Sequence, residues 1–138
     1  MKATRAQLQK VLNGSKFIRH YGFQVTRVGR DSCTLELPHR AMLERPGGII
    51  NGPALMAAAD CAMWLAIKAR IGIERDALTS ELNTAFLAPA KGEPVYCTAR
   101  ILKLGRRRIY GVASCHGRKG GLFSHHTMTY VRADQDAA

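Results

Sequence analysis

The sequence predicts an α+β domain in which one long helix is wrapped by an antiparallel sheet. Three observations lead there. Residues 54–67 are almost wholly apolar, with Asp60 the sole charge, which is the composition of a buried helix. Four β-rich segments follow, joined at Lys91-Gly92, Gly105 and Gly120-Gly121 rather than by helices, so consecutive strands are expected to pair antiparallel. A helix that is apolar on all sides must be covered, and a sheet curled round it does so.

Taken in order, residues 4–14 read as a short amphipathic helix, with Gly14 as its stop. Residues 23–29 and 32–38 alternate apolar with polar and are split by Arg30-Asp31, which gives two strands or a hairpin. Residues 39–52 are an irregular, glycine-rich loop. The central helix spans about Pro53 to Arg70 and ends before Gly72. Strands are expected in 77–89, 94–104, 107–117 and 121–132. His125 and His126, adjacent in the last of these, should point to opposite faces. The domain is expected over 1–132, with a polar tail over 133–138.

The length, 138 residues, suits one domain with a real core. The start is polar and basic, unlike a signal peptide, and the run around Asp60 is too short and interrupted to span a bilayer, so a cytoplasmic protein without a membrane role is expected. Cys33, Cys61, Cys97 and Cys115 lack C-x-x-C spacing and read as reduced buried thiols. No histidine has metal-ligand spacing, and neither a metal nor a redox cofactor is implied. The net charge of +11 favours an anionic partner, with Lys103 to Arg108 the densest cluster, unless that cluster is only a solvated hairpin. Nucleic-acid binding needs more than charge. No helix-turn-helix pattern, aromatic RNA-binding motif or basic tail is present.

The helix start and Asp60 carry the chemistry. Pro53 suits a first helical position, Gly52 the N-cap and Asn51 the residue before it. Free N–H groups and the helix dipole there can hold a developing oxyanion, and glycine admits a ligand close to the backbone. An unpaired buried carboxylate is costly, so Asp60 should be partnered or functional. Eight residues separate Gly52 from Asp60, about 12 Å of helix rise, too far for both to act on one carbonyl within a chain. Two antiparallel helices related by a two-fold axis could bring them together.

"GIINGP", Asp60, "FLAPAKG" and "LGRRR" occur in this order and at suitable spacing. Over nearly the whole chain, roughly Val11 to Val131, the sequence resembles the hotdog-fold acyl-CoA thioesterases of the phenylacetate-degradation (PaaI-like) type. The resemblance implies a dimer with a continuous sheet and shared sites, often a homotetramer, that hydrolyses an acyl-CoA. It implies that Gly52 N–H polarises the carbonyl and that Asp60 is nucleophile or general base, with Asn51 at the family's histidine position. It also implies that Thr79, or else Ser80, orients water. Lys91 and the cluster Arg106, Arg107 and Arg108 are candidates for the coenzyme A phosphates, and Trp64, one turn after Asp60, for the acyl pocket.

The sequence departs from the family at three places. Asn51 replaces a histidine and cannot titrate near neutrality. Pro53 replaces a glycine and lacks an N–H, while Gly52, the usual donor, is retained. Arg45 stands where some relatives carry asparagine, placed to meet a polar acyl group, a phosphate or solvent. Two alternatives follow: a hotdog protein that binds acyl-CoA or a small ligand without hydrolysis, and a basic module for nucleic acid or another polyanion.

Overall fold

The computed structural model describes residues 2–133, and the expected polar tail from 134 onward lies outside the described residues. Helix α1 (Arg5–Asn13) opens with a reciprocal capping box. The Thr4 hydroxyl accepts from Gln7 N–H, and the Gln7 side chain accepts from Thr4 N–H. A 3₁₀ turn over Lys16–Tyr21, absent from the sequence expectation, then leads to β1 (Gln24–Val28) and β2 (Ser32–Leu37), the expected hairpin. The irregular loop holds a 3₁₀ turn at Ala41–Leu43 and a two-residue ladder of β3 (Glu44–Arg45) with β4 (Ile49–Ile50). Helix α2 (Gly52–Ile71) follows, then β5 (Ala77–Phe86), β6 (Val95–Leu104), β7 (Arg108–His116) and β8 (Leu122–Arg132).

The six long strands form one antiparallel sheet in the order β1-β2-β6-β7-β8-β5. This corrects one expectation. β6, β7 and β8 do pair consecutively, but β5 does not pair with β6. It lies against β8 and leaves its other edge unpaired, while β6 crosses to the β1–β2 hairpin. The hairpin precedes the helix in sequence, and only a crossover lets its inward residues Cys33, Leu35 and Leu37 close over the same helix.

The sheet curls round α2 because the helix is thin. Ala54, Ala58, Ala59, Ala62, Ala66 and Ala69 are all fully buried, and their methyl groups let strands come near the helix axis. At Gly111 of β7 the approach leaves no room for a side chain. Any Cβ there would collide with the end of Met63 and with the Arg100 carbonyl. Larger residues at such sites typically cost 1–3 kcal/mol through forced repacking, so roughly that penalty is expected for most of them. The outer face of the sheet is polar and half-buried. There Thr34 and Thr98 hydroxyls lie 2.9 Å apart, and Ser114 Oγ is 3.1 Å from His125 Nδ1. His126, on the opposite face as expected, is fully buried between Thr84 Oγ1 and Ser124 Oγ, each at 2.8 Å.

The start of α2 is shifted by one residue from expectation. Asn51, not Gly52, is the N-cap; Gly52 is the first helical residue and Pro53 the second. The amide side chain explains it. Asn51 Oδ1 accepts from Ala54 N–H at 2.8 Å, while its Nδ2 donates to the Leu43 carbonyl at 2.7 Å, so one side chain closes both the helix end and the preceding loop. Asn51→Ala is therefore expected to lower unfolding free energy by about 1 kcal/mol. Urea titration checks it: the midpoint should fall with the slope unchanged, and an unchanged midpoint would contradict the cap.

Candidate active site

Asp60 is only half-buried. The sheet leaves one stripe of α2 partly open, formed by Pro53, Met56, Ala57, Asp60 and Trp64, and Asp60 lies within it. The carboxylate borders a cleft of about 260 Å³ whose walls include Phe17, Cys61, Trp64, Leu78 and Tyr130. Inward-facing residues of the two paired strands supply its hydrogen bonds, since Thr79 of β5 stands opposite Tyr130 of β8. Thr79 Oγ1 donates to Asp60 Oδ1 at 2.7 Å, and Tyr130 Oη lies 2.5 Å from the same oxygen and 2.7 Å from the Asp60 main-chain carbonyl. Ser80 Oγ donates away from the cleft, to the Thr129 carbonyl.

Trp64 forms one wall, and its orientation is fixed. Its indole N–H donates to Asp76 Oδ1 at 2.8 Å, and Lys68 Nζ sits 5.3 Å from the ring centroid and 3.7 Å from the Asp76 carboxylate. Lys68 also donates to the Ile73 and Arg75 carbonyls, which keeps its ammonium solvated by protein at the end of α2.

Gly52 faces a different cleft, of about 430 Å³, with walls from Arg45, Ile49, Leu55, Phe86 and Pro89. Among the described residues its N–H meets no acceptor, as befits the first turn of a helix. A Cβ at residue 52 would stand 2.9 Å from Phe86 Cζ, so glycine is what lets the aromatic ring cover the helix start. Arg45 and Lys91 lie at this end, where Ile49 bridges to Lys91. Arg106, Arg107 and Arg108 are exposed at the β6–β7 turn, next to the end of β8, where Arg132 N–H donates to the Arg107 carbonyl. The expected site residues thus fall at three places within one chain: Asp60, Trp64 and Thr79 at one cleft, Asn51, Gly52, Arg45 and Lys91 at the end that holds the other, and Arg106, Arg107 and Arg108 at the β6–β7 turn.

Tyr130 and Phe17 were not among the expected residues. Tyr130 looks like an ordinary inward strand aromatic, and only the β5–β8 register brings it to Asp60. Phe17 belongs to the unexpected 3₁₀ turn.

The four cysteines are free and buried, as expected. Burial, and secondarily the Asp60 charge, push the Cys61 thiol up to about 12, so it stays protonated beside the carboxylate. Cys115 is drawn down to about 5, chiefly by a hydrogen bond from Cys97 and also by His126, but it is sealed in the core. No set of three or more His, Cys, Asp or Glu that could hold a metal ion occurs among the described residues, and none of their helices is long and apolar enough to cross a membrane.

A half-buried carboxylate at an apolar cleft and a free helix N-terminus at a second one are parts suited to acyl transfer. The comparisons agree. The sequence model of the Thioesterase superfamily matches residues 47–124, and the chain belongs to that superfamily. A Thermoplasma acidophilum protein with a provisional esterase name is 28% identical over 123 residues, covering 89% of this chain and 92% of its own. A thioesterase structure from Haemophilus influenzae superposes with a TM-score of 0.87 at 19% identity, covering 96% of this chain and 92% of that one. A structure from Silicibacter, provisionally titled a thioesterase, gives 0.84 at 26% identity and 93% and 90% coverage. The fold is the hotdog fold, and the protein is a thioester hydrolase of that superfamily.

Burial first, then the Asp60 charge and hydrogen bond, hold the Tyr130 phenol well above its ordinary value. The sign of the linkage follows. Below about pH 10 both folded and unfolded chains keep this proton and the contribution is complete. Above it the unfolded chain releases the proton and the native phenol does not, so stability falls as pH rises, by about 1.4 kcal/mol per unit from this group. Denaturant midpoints between pH 9 and 11 should decline less steeply in Tyr130→Phe than in wild type; equal slopes would contradict the linkage.

Proposed function

We propose that the protein is an acyl-CoA thioesterase whose sites are completed between two subunits, Asp60 from one and Gly52 N–H from the other. The observation that carries this is the division of the machinery. Asp60 and Gly52 lie on one helix, about 12 Å apart along it, and open to separate clefts, so each chain offers two half-sites. The half-open stripe of α2 suits a second helix across a two-fold axis: one turn before Asp60 it carries the small Ala57 and the flexible, apolar Met56. The unpaired ten-residue edge of β5, with exposed Leu78 and Phe86, suits extension of the sheet by a second copy.

In such a pair the thioester carbonyl oxygen accepts from Gly52 N–H, where the helix dipole favours developing negative charge. Asp60 then either attacks the carbonyl carbon, expelling the thiolate and leaving an anhydride for water to open, or takes a proton from the water that attacks. Thr79 Oγ1, whose proton is on Asp60, retains lone pairs for that water. Asn51 holds Gly52 in place through its cap. Trp64 and Leu78 line the acyl side. Arg45 and Lys91 of one subunit, or Arg106–Arg108 of its partner, meet the phosphates of coenzyme A, which gives the +11 charge a purpose. The order of motifs along the chain supports the phenylacetate-degradation type, and the polar outer face of the sheet supports a tetramer built from two dimers. A second reading, acyl-CoA binding without efficient hydrolysis, draws on Pro53, which supplies no N–H beside Gly52.

Thiol release from short, long and aromatic acyl-CoAs tests the chemistry. At least one should turn over, and Asp60→Asn should lose roughly two orders of magnitude or more. A mutant as fast as wild type would move the chemistry away from Asp60, and a panel without any turnover would favour the binding protein. Mixing tests the sharing. Gly52→Pro removes the N–H, and its ring displaces the exposed Phe86 ring at that same half-site only, leaving the Asp60 half-site of the chain intact. Alone it should be inactive. Unfolded and refolded at equal amounts with Asp60→Asn, it should recover about one quarter of wild-type activity, because half the dimers then hold one intact site. No recovery would mean that the sites are not shared.

A further inference from the structure

Both hydroxyl donors on the Asp60 carboxylate converge on one oxygen. Thr79 Oγ1 and Tyr130 Oη lie 2.7 and 2.5 Å from Oδ1, and among the described residues no hydrogen bond reaches Oδ2. The phenol has one proton and two neighbouring acceptors, Oδ1 and the Asp60 carbonyl at 2.7 Å. The charged oxygen is nearer and is the stronger acceptor, so it takes the proton. Two donors occupy Oδ1, while Oδ2 stays open on a residue that borders the cleft.

The two donors differ in rigidity. Thr79 is exposed on the free edge of β5, and its hydroxyl rotates. Tyr130 is 2% exposed, with its ring packed in the core and its oxygen at a fixed point. The titratable groups facing the same cleft do not replace it. Cys61 remains a neutral thiol, and Asp76 is engaged by Trp64 and Lys68. Among the described residues no lysine, arginine or histidine pairs with Asp60.

We infer that Tyr130 is a positioning residue that, with Thr79, anchors Oδ1 of Asp60 and thereby selects Oδ2 as the oxygen that reacts with thioester or water. The inference rests on the reading of Asp60 as the reacting group. It adds which oxygen acts and what holds it. Two donors on Oδ1 oppose rotation of the carboxylate about the Cβ–Cγ bond, which is the kind of orientation that acyl transfer depends on steeply. The buried phenol stays protonated through the neutral range, so it remains a donor throughout.

Tyr130→Phe tests this, since it keeps the ring and removes only the donor. With the most active acyl-CoA of the panel, kcat should fall roughly tenfold to a hundredfold with KM nearly constant, because the loss is in orientation and not in binding. Thr79→Ala should also lower kcat, and Thr79→Ser should restore it. In the Asp60→Asn background, Tyr130→Phe should cause no further loss. An equal loss in both backgrounds would mean that the phenol only supports packing, and would overturn the proposal. An unchanged kcat in Tyr130→Phe, together with collapse in Asp60→Asn, would overturn it while leaving Asp60 as the reacting group. Full activity in Asp60→Asn would instead remove the reading beneath it. A substrate-free measurement covers a Tyr130→Phe chain that fails to fold. The ultraviolet titration of the most alkaline tyrosine should move to lower pH in Asp60→Asn, since the carboxylate charge and hydrogen bond are part of what holds it up. A midpoint that stays put would show the two groups uncoupled and end the proposal.

Discussion

Everything in this fold depends on how closely five strands of the sheet can approach one helix. A row of alanine methyls and the bare backbone of Gly111 set that distance. Because the helix is thin, the sheet curls round most of it and leaves a single stripe uncovered. That stripe holds the only carboxylate of the helix. A bulkier helix would push the sheet flat, and Asp60, Thr79 and Tyr130 would no longer share a point. The meeting of these three side chains is therefore a consequence of core packing as much as of their own chemistry.

Among the described residues Asp60 is held by hydrogen bonds and not by an ion pair, and the nearby Lys68–Asp76 pair fixes Trp64 instead. Asp60 receives two hydroxyls, one from an edge strand and one from the core. The positive charge of the chain is distributed elsewhere, at the start of α2, in the β6–β7 turn and on exposed loops. A salt bridge would have held the carboxylate too, but it would also have neutralised the charge that acyl transfer uses.

Much of the fold was legible because it rests on local patterns. The apolar run of α2, the alternation of β1 and β2, and the glycines between β6, β7 and β8 each leave a periodic or turn signature. The place of β5 at the far edge was not legible. Strand order is decided by long-range pairing, and nothing within residues 77–86 states which neighbour they will meet. The cap of α2 was misplaced by one residue, since the choice between Asn51 and Gly52 turns on an Asn51–Leu43 contact outside the helix.

Asp60 stood out by itself, since a lone charge in an apolar helix demands a reason. Thr79 followed from the family resemblance. Tyr130 left no trace, because an inward aromatic in a strand is the commonest of core residues, and only the β5–β8 register turns its hydroxyl into a partner of Asp60. The sequence by itself determined the two helices and the six long strands, the single acidic group of α2 and its distance along the helix from Gly52, because these depend on neighbours within a few turns of chain. The tertiary structure alone decided that Gly52 and Asp60 open to separate clefts and that Asp60 is held through one oxygen, because both depend on strands that meet only when the sheet closes.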